Sequence, residues 1–362
     1  MENLLDLYTD YLISSFGQTS ATGLSRLMDN EVKHDSVTRL LSNSDFSSKT
    51  LWQTVKPMVR KHQAEEACLI FDDFIIEKAY TDENDLICWH WDHSKKRNIK
   101  GINVLNAFYH TWKVGMSEPL RVPVGFETIR KTIRFCELKT KKEKRKSDLS
   151  KNELMLQMIA KAIANGLLFK YIIADSWFAS VANMRFIKQK QKIFIFDLQS
   201  NRLAVLNEAD RQTGNWTRID KVQIPNNKPV QVWLKDLEFP LLLTKQFFTN
   251  KDNSTGERFL VSNQLSLTDD QLTTIYKKRW SVGEYHKSLK QNVSIGKSPT
   301  RTEKTQTNHL YASMLGYIKL EKLKNANKMN HFAMKTKIHT QALKAAFKEL
   351  NNLKSMACAQ HQ

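Results

Sequence analysis

CLIFDDFII, residues Cys68–Ile76, is the stretch on which the fold turns. Four apolar side chains, two carboxylates and three more apolar side chains leave no polar stripe of the kind a surface helix carries. The run is short, and it reads as a strand buried in a sheet. Upstream the period is helical: Leu4, Leu5, Tyr8, Tyr11, Leu12 and Phe16 share one face. A second helix follows Thr22 and Gly23 with Leu24, Leu27 and Met28 inward, and Ser36 or Thr38 opens a third near Leu40 and Leu41. That segment reads equally as a helix-turn-helix-like unit or as a helical cap on the next domain. Downstream, Ile102–Thr111 and Leu120–Phe126 read as strands and the basic run at 139–147 as a solvated loop. A helix starts at Ser150 or Asn152 and stops at Gly166. The strand Tyr171–Ala174 ends in Asp175, and a helix over Val181–Lys190 leads to a strand at Ile193–Asp197. The order is strand, strand, strand, helix, strand, helix, strand, which predicts an α/β fold with a mixed sheet.

Residues about 200–262 look all-β, with strands at Trp216–Ile224, Val230–Leu234, Pro240–Phe248 and Arg258–Ser262 between Asn, Gly and Pro turns. From Thr268–Gln271 the helical period returns and holds to Lys354, broken near Gly296–Pro299. Within it, Tyr276, Arg279, Gly283, Lys287 and Lys290 fall at i, i+3, i+7, i+11 and i+14, one continuous helical stripe. That stripe is basic where a core helix would be apolar, and Trp280 and Tyr285 flank it. It suits a helix lying along a nucleic-acid backbone, Arg279 gripping phosphate bidentately and Lys287 and Lys290 acting as point charges.

Charge agrees. The 362 residues carry a formal net charge of +19. Folding gains nothing from so much self-repulsion, so an anionic partner, DNA or RNA, is expected. No apolar run approaches the length of a membrane span and no signal peptide precedes the first helix, which predicts a cytoplasmic protein without a membrane partner. Cys68, Cys88, Cys136 and Cys358 are scattered without a CxxC pair, so neither a zinc site nor a disulfide framework is expected.

Asp73 and Asp175 each lie within or just beyond an apolar strand. Carboxylates beside a core are costly unless compensated, and two meeting over one end of a sheet suit a divalent metal. Each taken alone also fits a plain turn or N-cap residue. Asp72, one residue from Asp73, takes the opposite face of the strand and reads as structural. His90 and His93, around Asp92, lack a third spaced ligand, so Trp89–His93 reads as a structured loop. His286, on the stripe helix, is given no catalytic role.

Three blocks, Ile70–Phe74 (IFDDF), Ile172–Ser176 (IIADS) and Tyr276–Lys290, together resemble bacterial insertion-sequence transposases of the DDE, RNase H-like class. The third matches that subgroup's signature of Tyr, two residues, Arg, three residues, Glu, six residues, Lys, except at the Glu. The resemblance spans about residue 67 to 325 and implies an RNase H-like mixed sheet flanked by helices. It divides the chain into a helical DNA-binding region (1–62), the first part of the core (63–199), a β-rich insertion (200–265), the core's catalytic-helix region (266–325) and a helical tail (326–362). It implies that Asp73, Asp175 and a third carboxylate hold two Mg²⁺ ions, with Mn²⁺ able to substitute. Water then cuts the element's terminal repeats, and the freed 3′-hydroxyl attacks target DNA. Tyr276, Arg279 and Lys290 match DNA-contacting positions, with Lys287 on the same face, and the implied assembly is a homodimer on double-stranded DNA in a bacterial nucleoid.

The departure is at 283, where the signature places Glu and this chain has Gly. Glu284 is the adjacent candidate for the third acid but lies about 100° further around an ideal helix. Phe74 stands where related sequences often carry Thr. Three readings remain: a transposase impaired at its third acid, a DNA-binding relative or inhibitory subunit without catalysis, and a nuclease that cuts without strand transfer. Leu310–Leu323 and Ala342–Leu353 are candidate dimer surfaces.

Overall fold

A computed structural model describes residues 4–249 and 252–359; the side chain of Cys358 lies outside the described residues. Four helices open the chain: α1 (Leu4–Ser14), α2 (Ala21–Leu27), α3 (His34–Asn43) and α4 (Ser48–His62). Strands β1 (Cys68–Glu77), β2 (Cys88–Asp92), β3 (Arg97–Thr111) and β4 (Leu120–Thr128) follow, then the hairpin β5 (Ile133–Cys136) and β6 (Glu143–Lys146). Next come α5 (Lys151–Ala164), β7 (Tyr171–Ala174), α6 (Val181–Gln189) and β8 (Ile193–Leu198). β9 (Leu203–Val205), α7 (Glu208–Thr213), β10 (Thr217–Arg218), β11 (Val230–Leu234), β12 (Leu241–Thr249) and β13 (Thr255–Ser262) lead to the helices α8 (Asp269–Lys277), α9 (Trp280–Asn292), α10 (Glu303–Asn327) and α11 (His331–Ala359).

The chain forms two compact units. One gathers the described residues up to Ser47, Ile76–Ile87 and those from Glu284 onward; the other holds Ser48–Ile75 and Cys88–Gly283. The first is helical. Tyr8, Leu12, Leu24, Val37 and Leu41 of α1–α3 bury their side chains with Ala312 of α10. Two buried polar side chains of α10 tie the helices: the Tyr8 hydroxyl meets His309 Nδ1 at 2.9 Å, and Asn308 Nδ2 donates to the carbonyls of Leu41 (2.8 Å) and Ser44 (2.7 Å). A buried amide that satisfies two orphan carbonyls at a helix end removes a penalty of about 1–3 kcal/mol for each.

The second unit is built on an 11-stranded sheet in the order β10-β9-β11-β12-β13-β8-β7-β1-β3-β2, with β4 also paired to β3. Its centre, β1–β7–β8, is parallel; the neighbouring pairs β8–β13 and β12–β13 are antiparallel. The result is the mixed α/β architecture expected, with helices on the sheet and at both termini. Central strands between helices must be apolar on both faces, and Ile172, Ile173, Phe194, Ile195 and Phe196 are fully buried. Local signals fix the ends of α5: Ser150 and Glu153 form a reciprocal capping box, and Gly166 follows the helix at φ +66, a left-handed turn that costs glycine little.

Four local expectations change. Residues 88–92 are an edge strand rather than a loop, because Cys88 and His90 bury one face against β3. Part of the basic run pairs with Ile133–Cys136 as the exposed hairpin β5–β6. Of Trp216–Ile224 only Thr217 and Arg218 are strand, and α7, opened by an Asn207 cap, was not foreseen. The β-rich stretch also extends the central sheet, since β13 pairs directly with β8.

The helix expected to be continuous over 276–290 is two helices. Lys278 and Arg279 lie between α8 and α9, where Arg279 N–H donates to Tyr276 O at 2.9 Å and Val282 N–H to Arg279 O at 3.1 Å. These i to i+3 bonds tighten the backbone. The α9 helix then runs unbroken through Gly283 and Glu284.

Candidate active site

Three neighbouring strands each send an Asp out beyond an apolar run. The parallel register pairs Ile70 with Ile173 and, on the other side of β7, Ala174 with Phe196. Continued by one or two residues it sets Asp72, Asp175 and Asp197 in one row across β1, β7 and β8. Residues in register on parallel strands share a face, and adjacent strands lie about 4.8 Å apart. The row is therefore a short line of carboxylates across the sheet, level with the end of β7.

Opposite charges meet this row. Arg279 Nη1 donates to Asp72 Oδ2 at 3.2 Å, and Arg258 Nε lies 4.0 Å from Asp197 Oδ2. Both guanidinium groups lie over the Tyr276 ring, at 5.4 Å for Arg258 and 6.0 Å for Arg279. Tyr276 is thus a buried spacer between two arginines, and burial pushes its hydroxyl up to about 12. Asp175 caps the turn after β7, accepting from Trp177 N–H at 3.0 Å, so it is both a turn residue and a member of the row.

The arginines do not neutralise the site. Burial pushes the Asp72 carboxyl up to about 7, against the pull of Arg279 and with the charges of Asp175 and Asp73 adding to it. Burial also raises Asp197, opposed by Arg258. Carboxylates whose ionised form stays disfavoured beside arginine would gain from a divalent cation. The donors are all carboxylate oxygens, the chemistry of Mg²⁺ or Mn²⁺. Among the described residues no three His, Cys, Asp or Glu side chains converge in a metal-binding group. A pair such as Asp72 and Asp175 matches Mg²⁺, which takes one or two protein carboxylates and completes its shell with water and phosphate.

The two acids of β1 have different partners. Asp72, read as structural, lies in the row and faces Arg279. Asp73, read as a metal ligand, is held by Lys151 Nζ of α5 at 2.9 Å. The alternation of the strand holds, but sequence alone does not say which side of β1 faces Arg279 and which faces Lys151. Asp197 and Arg258 were not singled out. A signal for Asp197 existed: each of the three strands carries Asp directly after a run of buried apolar residues.

The basic stripe divides with the helix. Tyr276 is buried and Arg279 half-buried, while Gly283, Glu284, Lys287 and Lys290 are exposed on α9. The Lys287 ammonium lies 5.0 Å from the centre of the Phe332 ring. Tyr285, expected to flank the stripe, is a core residue packed edge-on to Tyr317 at 4.7 Å, and His286 is buried. The two histidines of Trp89–His93 lie in different surroundings: His90 is buried with Nε2 3.3 Å from Cys88 Sγ, while His93 is exposed. Among the described residues no helix is long and apolar enough to cross a membrane.

No curated protein matches the chain. Residues 2–232 match a family described as DDE superfamily endonuclease, a span that includes Asp72, Asp73, Asp175 and Asp197 and stops before α8. With more than half its length matched and its acids lined up across a mixed sheet, this chain belongs to the DDE superfamily of endonucleases.

Proposed function

We propose that the protein is a transposase of the insertion-sequence kind that binds double-stranded element ends and carries a crippled DNA-cutting site. The observation that supports this most is the Asp72–Asp175 register with Arg279 over it. In this reading Asp72 and Asp175 hold Mg²⁺, or Mn²⁺ in its place, which would activate water and neutralise charge on the scissile phosphate. Arg279 orients a phosphate oxygen and Arg258 steadies the Tyr276 ring beside it. Lys287 and Lys290 add phosphate contacts that set register without reading sequence. Asp73, tied to Lys151, joins the middle of β1 to α5.

The third acid is what the chain lacks. Gly283 fills the signature position, and because α9 is regular there, Glu284 keeps its rotation of about 100° from it. Cleavage is therefore expected to be weak while binding persists. Pairing two DNA ends calls for two copies of the chain, and exposed Leu343, Phe347, Leu350 and Leu353 of α11 are the surface we assign to that contact. The residues of Leu310–Leu323 instead pack largely within the helical unit. The test is nicking of supercoiled DNA bearing the element's ends, in Mg²⁺ and in Mn²⁺, with Asp175→Ala as the blank. Weak nicking that Asp175→Ala removes supports the reading. End binding with no nicking in either metal favours a purely DNA-binding relative, and neither binding nor nicking refutes the proposal.

A further inference from the structure

Beside the acidic row lies a line of half-exposed aromatic rings that nothing in the cutting chemistry requires. Along β2 alternate residues face out: Trp89 and Trp91 are each 52% exposed, while Cys88 and His90 are buried. His93 continues that direction beyond the strand, its ring 6.4 Å from Trp91 and 6.1 Å from Trp177, which is itself 49% exposed. The last ring belongs to the residue whose N–H donates to Asp175. Lys151 Nζ sits 4.8 Å from the Trp177 ring centre and also holds Asp73. The row therefore ends at the acids.

Its other flank is basic. Asp92 accepts from the N–H groups of Ser94 (2.8 Å) and Lys95 (3.1 Å), shaping a tight turn that projects Lys95, Lys96 and Arg97 into solvent. Lys131 reaches the Trp89 carbonyl from a neighbouring loop. An apolar protein partner would meet this fringe of cations unfavourably, whereas a polyanion with flat faces meets both features. Indole and imidazole faces stack on any base, and lysine and arginine follow the backbone.

We infer that Trp89, Trp91, His93 and Trp177 form a stacking platform for unpaired nucleotides running away from the scissile phosphate. The inference rests on the proposed DNA-cutting site and adds single-stranded DNA to its substrates. Duplex DNA cannot use such a platform, because its bases are already stacked within the helix.

The full chain tests this without metal, in EDTA, by anisotropy of a short fluorescent single strand and of the matching duplex, alongside quenching of tryptophan emission. Trp91→Ala and Trp177→Ala are each expected to weaken single-strand binding about tenfold. Duplex affinity should stay unchanged, and Trp91→Phe should restore most of the loss. Trp112→Ala, exposed just beyond the end of β3, serves as the control for removing a surface indole. Thermal unfolding at the parental temperature shows that the variants fold. Equal loss on both DNAs, or no loss on the single strand, overturns the platform while leaving the cutting site standing. If the parent chain binds neither DNA, the proposed function falls with it.

Discussion

Gly283→Glu, which supplies the carboxylate that the proposed function finds lacking, is the sharpest perturbation of this chain. A Cβ built at 283 meets nothing within 4 Å, the residue is exposed, and its φ lies outside the left-handed region. The substitution is thus free of clash and of backbone strain. Inside α9, glutamate exceeds glycine in helix propensity by about 0.5 kcal/mol. At about 2.1 cal/mol/K of unfolding entropy per residue, that gain raises the melting temperature of a chain this long by about 1 °C or less. Stability should barely move in EDTA. Catalysis should move far more: losing a partner that merely orients a metal ligand costs about 10–100-fold, so regaining a ligand should raise Mg²⁺-dependent nicking by about 100-fold or more. The assay is the initial rate of nicking of end-bearing plasmid for both proteins, with melting curves at rising Mg²⁺. The variant should also show the larger metal-dependent rise in melting temperature. Equal nicking by the two proteins, in a preparation where Asp175→Ala is inert, would refute the argument about position 283.

Three further outcomes follow from the geometry. Asp72→Ala should remove residual nicking as fully as Asp175→Ala, while Asp73→Ala should leave a measurable fraction; equal loss from Asp72 and Asp73 would erase the distinction drawn from Arg279 and Lys151. Burial lowers His90 and His110 to about 3 and His309 to about 4, so each is neutral when folded and protonates readily when unfolded. Their contribution is present above about pH 6.5 and is lost as pH falls toward their folded values, by about 1.4 kcal/mol per unit per histidine. Urea midpoints that stay flat from neutral pH down to about 5 would contradict this. Gly166→Ala should destabilise by about 1 kcal/mol or more, because the residue has φ +66 and its new Cβ would lie 3.2 Å from Arg60 Nη2; an unchanged melting temperature would count against it.

Much of the sheet was legible because burial writes itself into composition. β1, β7 and β8 carry unbroken apolar runs that only a two-sided core tolerates, and α5 has its cap and its stop spelled out in Ser150 and Gly166. Elements held by distant pairing were not legible. β10 is two residues long and exists only against β9, and β2 is an edge strand whose outward tryptophans mask its alternation. At the site, Asp72, Asp73 and Asp175 could be named but Asp197 was not, and the sides of the β1 pair depend on which distant cation faces each. Position 279 shows a second limit: the spacing of an ideal helix runs through it, whereas the backbone tightens there and buries Tyr276. The absence at 283 was visible only as a gap in a pattern.

The backbone passes between the two units at four points: after Ser47, Ile75, Ile87 and Gly283. No single cut yields either unit as one contiguous piece, so recombination between relatives cannot trade one of them as a cassette. A frameshift truncation before Glu284 would keep every strand of the large sheet yet strip α1–α3 of the α10 residues that bury Tyr8 and Leu41. Such a product would leave the apolar faces of α1–α3 uncovered, which makes degraded copies of this gene a source of sticky protein rather than of a working fragment.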